Sequence, residues 1–204
     1  MSIAYDATSG GNGTGTSLTY AHTCSTGDDR ILFVGINITD NTDSVTGVTY
    51  AGSAMTLVNK RSGTNAFLYL YYIIAPATGA NNVVVSTSAS KQIVAVGSSY
   101  TGAAQTGQPD SSATVKNTSG TSLVLQTTVV ASNCWLVCIK AETAPNTLTN
   151  GSIRTGQING TANGDSNATV GTGSQNLTWT HDEHSAGGII ASFAPASSGF
   201  LAFM

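Results

Sequence analysis

Apolar residues along this chain come in short runs, and Gly, Asn, Asp, Ser or Pro interrupts them at intervals of about ten residues, the punctuation of strands and turns. Ser17 to Cys24 alternates, with Leu18, Tyr20, His22 and Cys24 on one face. After the turn Thr26-Gly27-Asp28-Asp29, Arg30 to Ile38 reads as a core strand carrying Ile31, Leu32, Phe33, Val34 and Ile36. Strands are expected next at Val45 to Tyr50 and Met55 to Lys60, and at Val83-Val84-Val85 and Ile93 to Tyr100. Weaker ones follow at Ala113 to Lys116 and Leu123 to Val130, then Cys134 to Ile139, Leu177 to Thr180 and Gly188 to Phe193. The segment from Asn146 to Gln175 is mostly Gly, Asn, Thr and Ser, so it reads as long loops with one short strand near Ile153. No helical periodicity of useful length appears. The only internal echo pairs Val48-Thr49-Tyr50-Ala51-Gly52 with Ser99-Tyr100-Thr101-Gly102, which is too little to define a repeat. The expectation is an all-β, antiparallel β-sandwich in a single domain over residues 1–196, followed by an apolar tail over 197–204.

One strand breaks the pattern. An antiparallel strand with one wet face alternates apolar and polar side chains, whereas Phe67 to Ile74 is apolar on both faces. Phe67, Tyr69, Tyr71 and Ile73 share one face, and Leu68, Leu70, Tyr72 and Ile74 the other, so both want cover. The second cover comes either from the chain's own loops or curled sheet, or from a neighbouring subunit, which makes Tyr72 a candidate interface residue. Burying such side chains contributes about 1.5–3 kcal/mol each. The tail poses a similar question. Phe200, Leu201, Phe203 and Met204 follow the flexible Ser197-Ser198-Gly199, and they read either as a docking segment that adds to a neighbour's sheet edge or as a final strand of the same sandwich.

Charge changes the picture more than length does. Only 8% of the 204 residues are Asp, Glu, Lys or Arg, against roughly 25% in ordinary domains, and Ser, Thr, Asn and Gly fill the polar positions. The formal net charge is −3 and the largest cationic cluster is the pair Lys60-Arg61, so nucleic acid, which demands clustered cations, is not an expected partner. No apolar run approaches the roughly 20 residues of a spanning helix, and no membrane association is expected. Met1 to Asp6 lacks the basic and apolar stretches of a signal peptide. The expectation is synthesis in a host cytoplasm without export by that route.

Candidate chemistry is sparse. Cys134 and Cys138 lie about 13 Å apart on a strand at roughly 3.3 Å per residue, beyond the roughly 7 Å a disulfide spans, and free buried thiols are expected for them and for Cys24. His181-Asp182-Glu183-His184 is the one dense group of metal-ligating types. On a strand its histidines would face opposite ways, so His181 and His184 are metal candidates only on a turn, and a polar hairpin is the plainer reading. No nucleophile elbow occurs and no carboxylate pair is set in an aromatic cleft, so no catalytic residue, cofactor or enzymatic role is expected. Tyr50, Tyr100, Trp135 and Trp179 are the aromatics from which a glycan platform would be built, against core packing as the alternative.

The stretches Tyr20-Ala21-His22-Thr23-Cys24 and Arg30-Ile31-Leu32-Phe33-Val34-Gly35-Ile36 carry a resemblance. It continues through Val45-Thr46-Gly47-Val48-Thr49-Tyr50-Ala51-Gly52, Leu68 to Ala80 and Ser99-Tyr100-Thr101-Gly102. Together they resemble jelly-roll-like β-sandwich domains of phage and bacterial surface-type proteins. Looser matches lie at Trp179-Thr180-His181 and Phe193-Ala194-Pro195. The resemblance implies a sandwich without catalytic residues. The role it suggests is a virion structural protein, such as a bacteriophage capsid decoration (cement) or minor capsid protein, partnered with itself as a homo-oligomer and with a major capsid protein. A carbohydrate-binding or host-adhesion module of a fibre, or an extracellular fibre subunit, is the alternative.

Overall fold

The computed structural model describes residues 2–141, 147–182 and 185–197, with the side chains of 156 and 157 left aside. Among the described residues all regular structure is β, and every strand pairing is antiparallel. In the N-terminal half run β1 (Ala4–Cys24), β2 (Ile31–Ile38), β3 (Val45–Tyr50), β4 (Ser53–Ala54), β5 (Thr56–Ser62), β6 (Phe67–Ile74) and β7 (Gly79–Thr101). In the C-terminal half run β8 (Ser111–Asn117), β9 (Ser122–Val129), β10 (Trp135–Ala141), β11 (Thr147–Thr149), β12 (Ser152–Ile158), β13 (Thr161–Asp165), β14 (Gly173–Thr180) and β15 (Ala186–Phe193).

The long strands β1 and β7 pair along their whole length, from Ala4 opposite Thr101 to Cys24 opposite Gly79, with an irregularity between Gly15 and Ser17. On the other side of β7, the C-terminal part pairs with β2 and the N-terminal part with β3. The β1–β7 ribbon therefore folds over itself and serves two layers. One layer holds β4, β3 and the first part of β7 with the second part of β1. The next holds β5, β6, β2, the second part of β7 and the first part of β1. Between them lies a core of Leu32, Val34, Ile36, Val48, Tyr50, Tyr69, Tyr71, Val83 and Val85.

The C-terminal half repeats this plan. Its sheet β12-β13-β10-β15-β8 follows the order β5-β6-β2-β7-β1, and its sheet β11-β14-β9 follows the order β3-β7-β1. The hydrophobic rungs agree as well. Leu18, Val85 and Val48 lie side by side across one outer layer, and Leu123, Trp179 and Leu148 across the other. Tyr100 stands opposite Ile31 as Phe193 stands opposite Trp135. The outer core of this half holds Leu123, Leu125, Leu136, Cys138, Leu177, Trp179 and Ile190.

The two halves pack through their larger sheets, and the packing is reciprocal. β1 lies against β12 as β8 lies against β5, β7 against β13 as β15 against β6, and β2 crosses its own counterpart β10. Ile31, Phe33, Leu68, Leu70, Val96 and Tyr100 meet Trp135, Val137, Ile139, Ile189, Ala191 and Phe193 in a central core. At the crossing, a Cβ on Gly35 would stand 2.5 Å from Ile139 Cδ1, so glycine is what lets β2 and β10 approach. The chain is thus a four-layered, antiparallel, sandwich-like stack made of two halves of one topology, related as the subunits of an isologous dimer are.

Three expectations change against this structure. Residues 4–16, unread in the sequence, are strand, and the two strands expected at 83–85 and 93–100 are one. Residues 147–165 hold three strands where long loops with one short strand near Ile153 were expected; β12 is at that place, and β11 and β13 are additional. Those strands are held by polar pairing more than by apolar burial. Thr161, Asn163 and Asp165 are all buried, so a hydrophobicity pattern does not reveal them. The third is the repeat, which lies in topology and register and leaves little trace in residue identity.

Candidate assembly surface

Both faces of β6 are covered by the chain's own layers. Tyr69 and Tyr71 enter the outer core and Leu68 and Leu70 the central one. Tyr72 is half-buried against the central core, its ring 6.2 Å from that of Phe33, and its hydroxyl donates to the Gln108 carbonyl at 2.6 Å. No neighbouring subunit is needed to cover it. Phe200, Leu201, Phe203 and Met204 lie outside the described residues, as does His184.

The aromatics proposed for a sugar platform are core residues. Tyr50 and Trp179 are 0% exposed, Tyr100 1% and Trp135 7%. Strand parity turns each of them inward, so none offers a ring face to a glycan. His181 is also buried, at 3% exposure, and its Nδ1–H donates to the Asp182 carbonyl at 2.7 Å. Its Nε2 has no partner among the described residues. Beside it, Thr121, Thr147, Thr180 and Asp182 line a cavity of about 270 Å³. No three His, Cys, Asp or Glu side chains converge there or elsewhere among the described residues.

Polar side chains do converge in two places that sequence spacing did not show. In the N-terminal half, the Ser9 hydroxyl lies 2.7 Å from His22 Nδ1, His22 Nε2 lies 3.0 Å from Ser99 Oγ, and Ser99 donates to Asp6 Oδ2 at 2.7 Å. Since Ser99 donates to the carboxylate, His22 Nε2–H donates to Ser99 and Nδ1 accepts from Ser9. Burial depresses the His22 pKa to about 4, with the Asp6 charge opposing the shift. The imidazole is therefore neutral near pH 7 and ties the second part of β1 to the first part of β1 and to β7 by hydrogen bonds. Between the halves, Arg154 binds Asp165 with both arms, Nε to Oδ2 at 2.6 Å and Nη2 to Oδ1 at 2.9 Å. Tyr100 donates to the same carboxylate at 2.8 Å, and the guanidinium stacks 4.0 Å over the Tyr5 ring. Asp165 is fully buried, so this pairing is what makes its charge tolerable there. Asn163 to Ser98 at 2.8 Å and Asn37 to Thr161 at 2.9 Å continue the polar seam.

The three cysteines are free and buried, and burial pushes the thiols of Cys134 and Cys138 up to about 12. These are inert thiols.

The sheet edges differ from one another. Natural edges are blunted by shortness or by charge, lysine above all. β4 and β11 have two and three residues, β5 carries Lys60 and Arg61, β8 carries Lys116 and β12 carries Arg154. β9 is uncharged and eight residues long. β1 is the edge of both N-terminal layers and has 21 residues. Its one charged residue, Asp6, is engaged inward by Ser99 and by the Ser25 amide. β1 therefore presents a long, uncharged row of backbone donors and acceptors.

Fold and edges together define a class, an all-β layered sandwich with an open pairing edge. Beyond the class, comparison with family models, with curated proteins and with solved structures found no match to this chain.

Proposed function

We propose that this chain is a non-enzymatic structural protein of a virus particle, a bacteriophage capsid decoration (cement) or minor capsid protein. It acts through self-association and through contacts with the major capsid protein of the shell. The observation that carries the reading is the open edge of β1, 21 residues long and lacking the charges that keep such edges apart. Strand order adds support. With β1 and β7 each counted as two strands and the two-residue β4 left out, eight strands numbered along either half give sheets that run 1-8-3-6-5 and 2-7-4, the interlocked Greek-key order of a jelly roll with its fifth strand moved beside the sixth. Jelly rolls are recurrent in capsid proteins, an analogy of fold and setting. A chain with only 8% charged residues lets many copies crowd with little mutual repulsion, and many weak lattice contacts then add through multivalency. The apolar tail over 197–204 is the segment assigned to the shell.

The test reads the genes that neighbour this one for shell proteins, co-expresses the chain with the shell proteins found there, and bands the particles on a density gradient. The chain should band with the shells in fixed stoichiometry, and truncation after Ser198 should lower that occupancy. Shells that band without the chain would contradict the virion reading, and unchanged occupancy after truncation would remove the tail from it.

A further inference from the structure

We infer that the cavity beside His181 binds a neutral polyol of single-ring size, a monosaccharide unit. This ligand goes beyond the structural role proposed above and does not rest on it.

Strand ends build the site. Thr180 closes β14 opposite Thr147 of β11, and the amide of His181 donates to the Thr121 carbonyl at 2.9 Å. These four residues and Asp182 line the cavity of about 270 Å³. The hydroxyls of Thr121, Thr147 and Thr180 and the carboxylate of Asp182 have no hydrogen-bond partner among the described residues. With Nδ1–H given to the Asp182 carbonyl, the buried His181 Nε2 is an acceptor without a donor. A buried acceptor left unmade is costly, and one kept in a folded chain asks for a partner. The other half shows that the fold does not require it. Thr87 stands two residues beyond Val85 as His181 stands two beyond Trp179, and the Thr87 hydroxyl is satisfied within the chain, donating to the Ala89 carbonyl at 2.8 Å.

The unpaired groups select the ligand. All five accept hydrogen bonds, and the three hydroxyls also donate. The hydroxyls of a sugar do both, and one of them supplies the donor that Nε2 lacks. The threonine methyls give the C–H face of the ring an apolar wall, so no aromatic platform is required. An anion would meet the Asp182 carboxylate, and an apolar ligand would leave Nε2 unmade. An ammonium group would use Asp182 but offer nothing to the hydroxyl protons. The volume lies just below the roughly 300–1,000 Å³ of drug-sized pockets, which admits one ring. A few hydrogen bonds at a solvent-facing cavity set the affinity in the millimolar range.

The experiment is saturation-transfer NMR on the full chain with glucose, galactose, mannose and N-acetylglucosamine as probes, and with propylammonium as the cationic control. At least one sugar should receive saturation. The double substitution Thr147→Val/Thr180→Val, which keeps shape and removes two hydroxyls, should weaken that sugar by about tenfold or more while leaving the far-ultraviolet circular dichroism unchanged. Thr19→Val, on the outer sheet of the other half, should leave it as it was. His181→Phe, which keeps a buried ring and removes the acceptor, should abolish binding, and the threonine pair carries the test if that variant does not fold. Saturation of none of the four sugars overturns the inference, as does binding that survives the threonine pair, or saturation of propylammonium alone. Shell occupancy is read separately, so a chain that joins shells but binds no sugar contradicts this inference alone, and one that binds sugar but leaves shells undecorated contradicts the virion role alone.

Discussion

The two halves of this molecule share one strand order and differ in how its edge is finished. In the N-terminal half the first strand runs unbroken for 21 residues, and β7 beside it runs for 23. In the C-terminal half the equivalents are each cut in two, β8 from β9 across 118–121 and β14 from β15 across 181–185. The cut divides the edge into strands of seven and eight residues, of which β8 carries Lys116 and β9 no charge. It also opens the cavity beside His181. One topology therefore supports a long unbroken edge and a divided one, and the difference lies in the turns that cut the strands and in the charge on β8. The half with the long unbroken edge is where association is to be sought.

The comparison can be broken at the seam between the halves. Arg154→Leu should give the largest effect, since it strands the buried Asp165 carboxylate, at a cost of about 3–5 kcal/mol. Denaturant unfolding measures it, and a change below 1 kcal/mol would mean that the ion pair is not what holds Asp165 in the seam. Acid should act next, in the N-terminal half through His22. With His22 near pKa 4 when folded and 6.5 when unfolded, the unfolded chain binds the extra proton. Its contribution to stability is complete above pH 6.5 and is lost as pH falls towards 4, by about 3 kcal/mol at most. The His22→Asn variant should flatten that slope in urea melts between pH 7 and 4, and an unchanged slope would assign the acid sensitivity elsewhere. A smaller effect is expected at the β2–β10 crossing, where Gly35→Ala should cost about 1–3 kcal/mol by overpacking against Ile139. Ile139→Val should relieve part of that cost in a double-mutant cycle, and strict additivity would show that the strands do not meet there. The smallest concerns the edge itself. Thr14→Lys should change stability by less than about 0.5 kcal/mol, as surface substitutions do, in melts at concentrations low enough for the chain to be monomeric, and a larger loss there would mean that the chain's own residues cover the edge.

Much of this was legible in the residues. Alternation at Leu18, Tyr20, His22 and Cys24, and the apolar run from Ile31 to Ile38, announce strands because their burial is hydrophobic. Phe67 to Ile74 announces a strand with two buried faces, and the four-layered stack supplies both covers. What stayed hidden was polar. Residues 4–16 contain four glycines and no aliphatic side chain larger than alanine, and they form strand because β7 lies beside them. Thr161, Asn163 and Asp165 are buried by hydrogen bonds to the other half, partners more than sixty residues away for each. The shared topology leaves little trace in residue identity for a related reason. Val85 stands where Trp179 stands, and Ile31 where Trp135 stands. Core volume is distributed differently in the two halves while the register agrees, so the likeness shows in topology and not in residue identity.

Amide hydrogen exchange along β1, followed as protein concentration rises from nanomolar to tens of micromolar, probes the open edge most directly. Amides between Ser9 and Ser17 that point away from β7 should pass from fast to protected exchange as the chain self-associates, while those of β5 and β12 stay as they were. Fast exchange in β1 at every concentration, or protection that arises instead along β5 or β12, would contradict the assignment of that edge as the surface through which copies of this chain join.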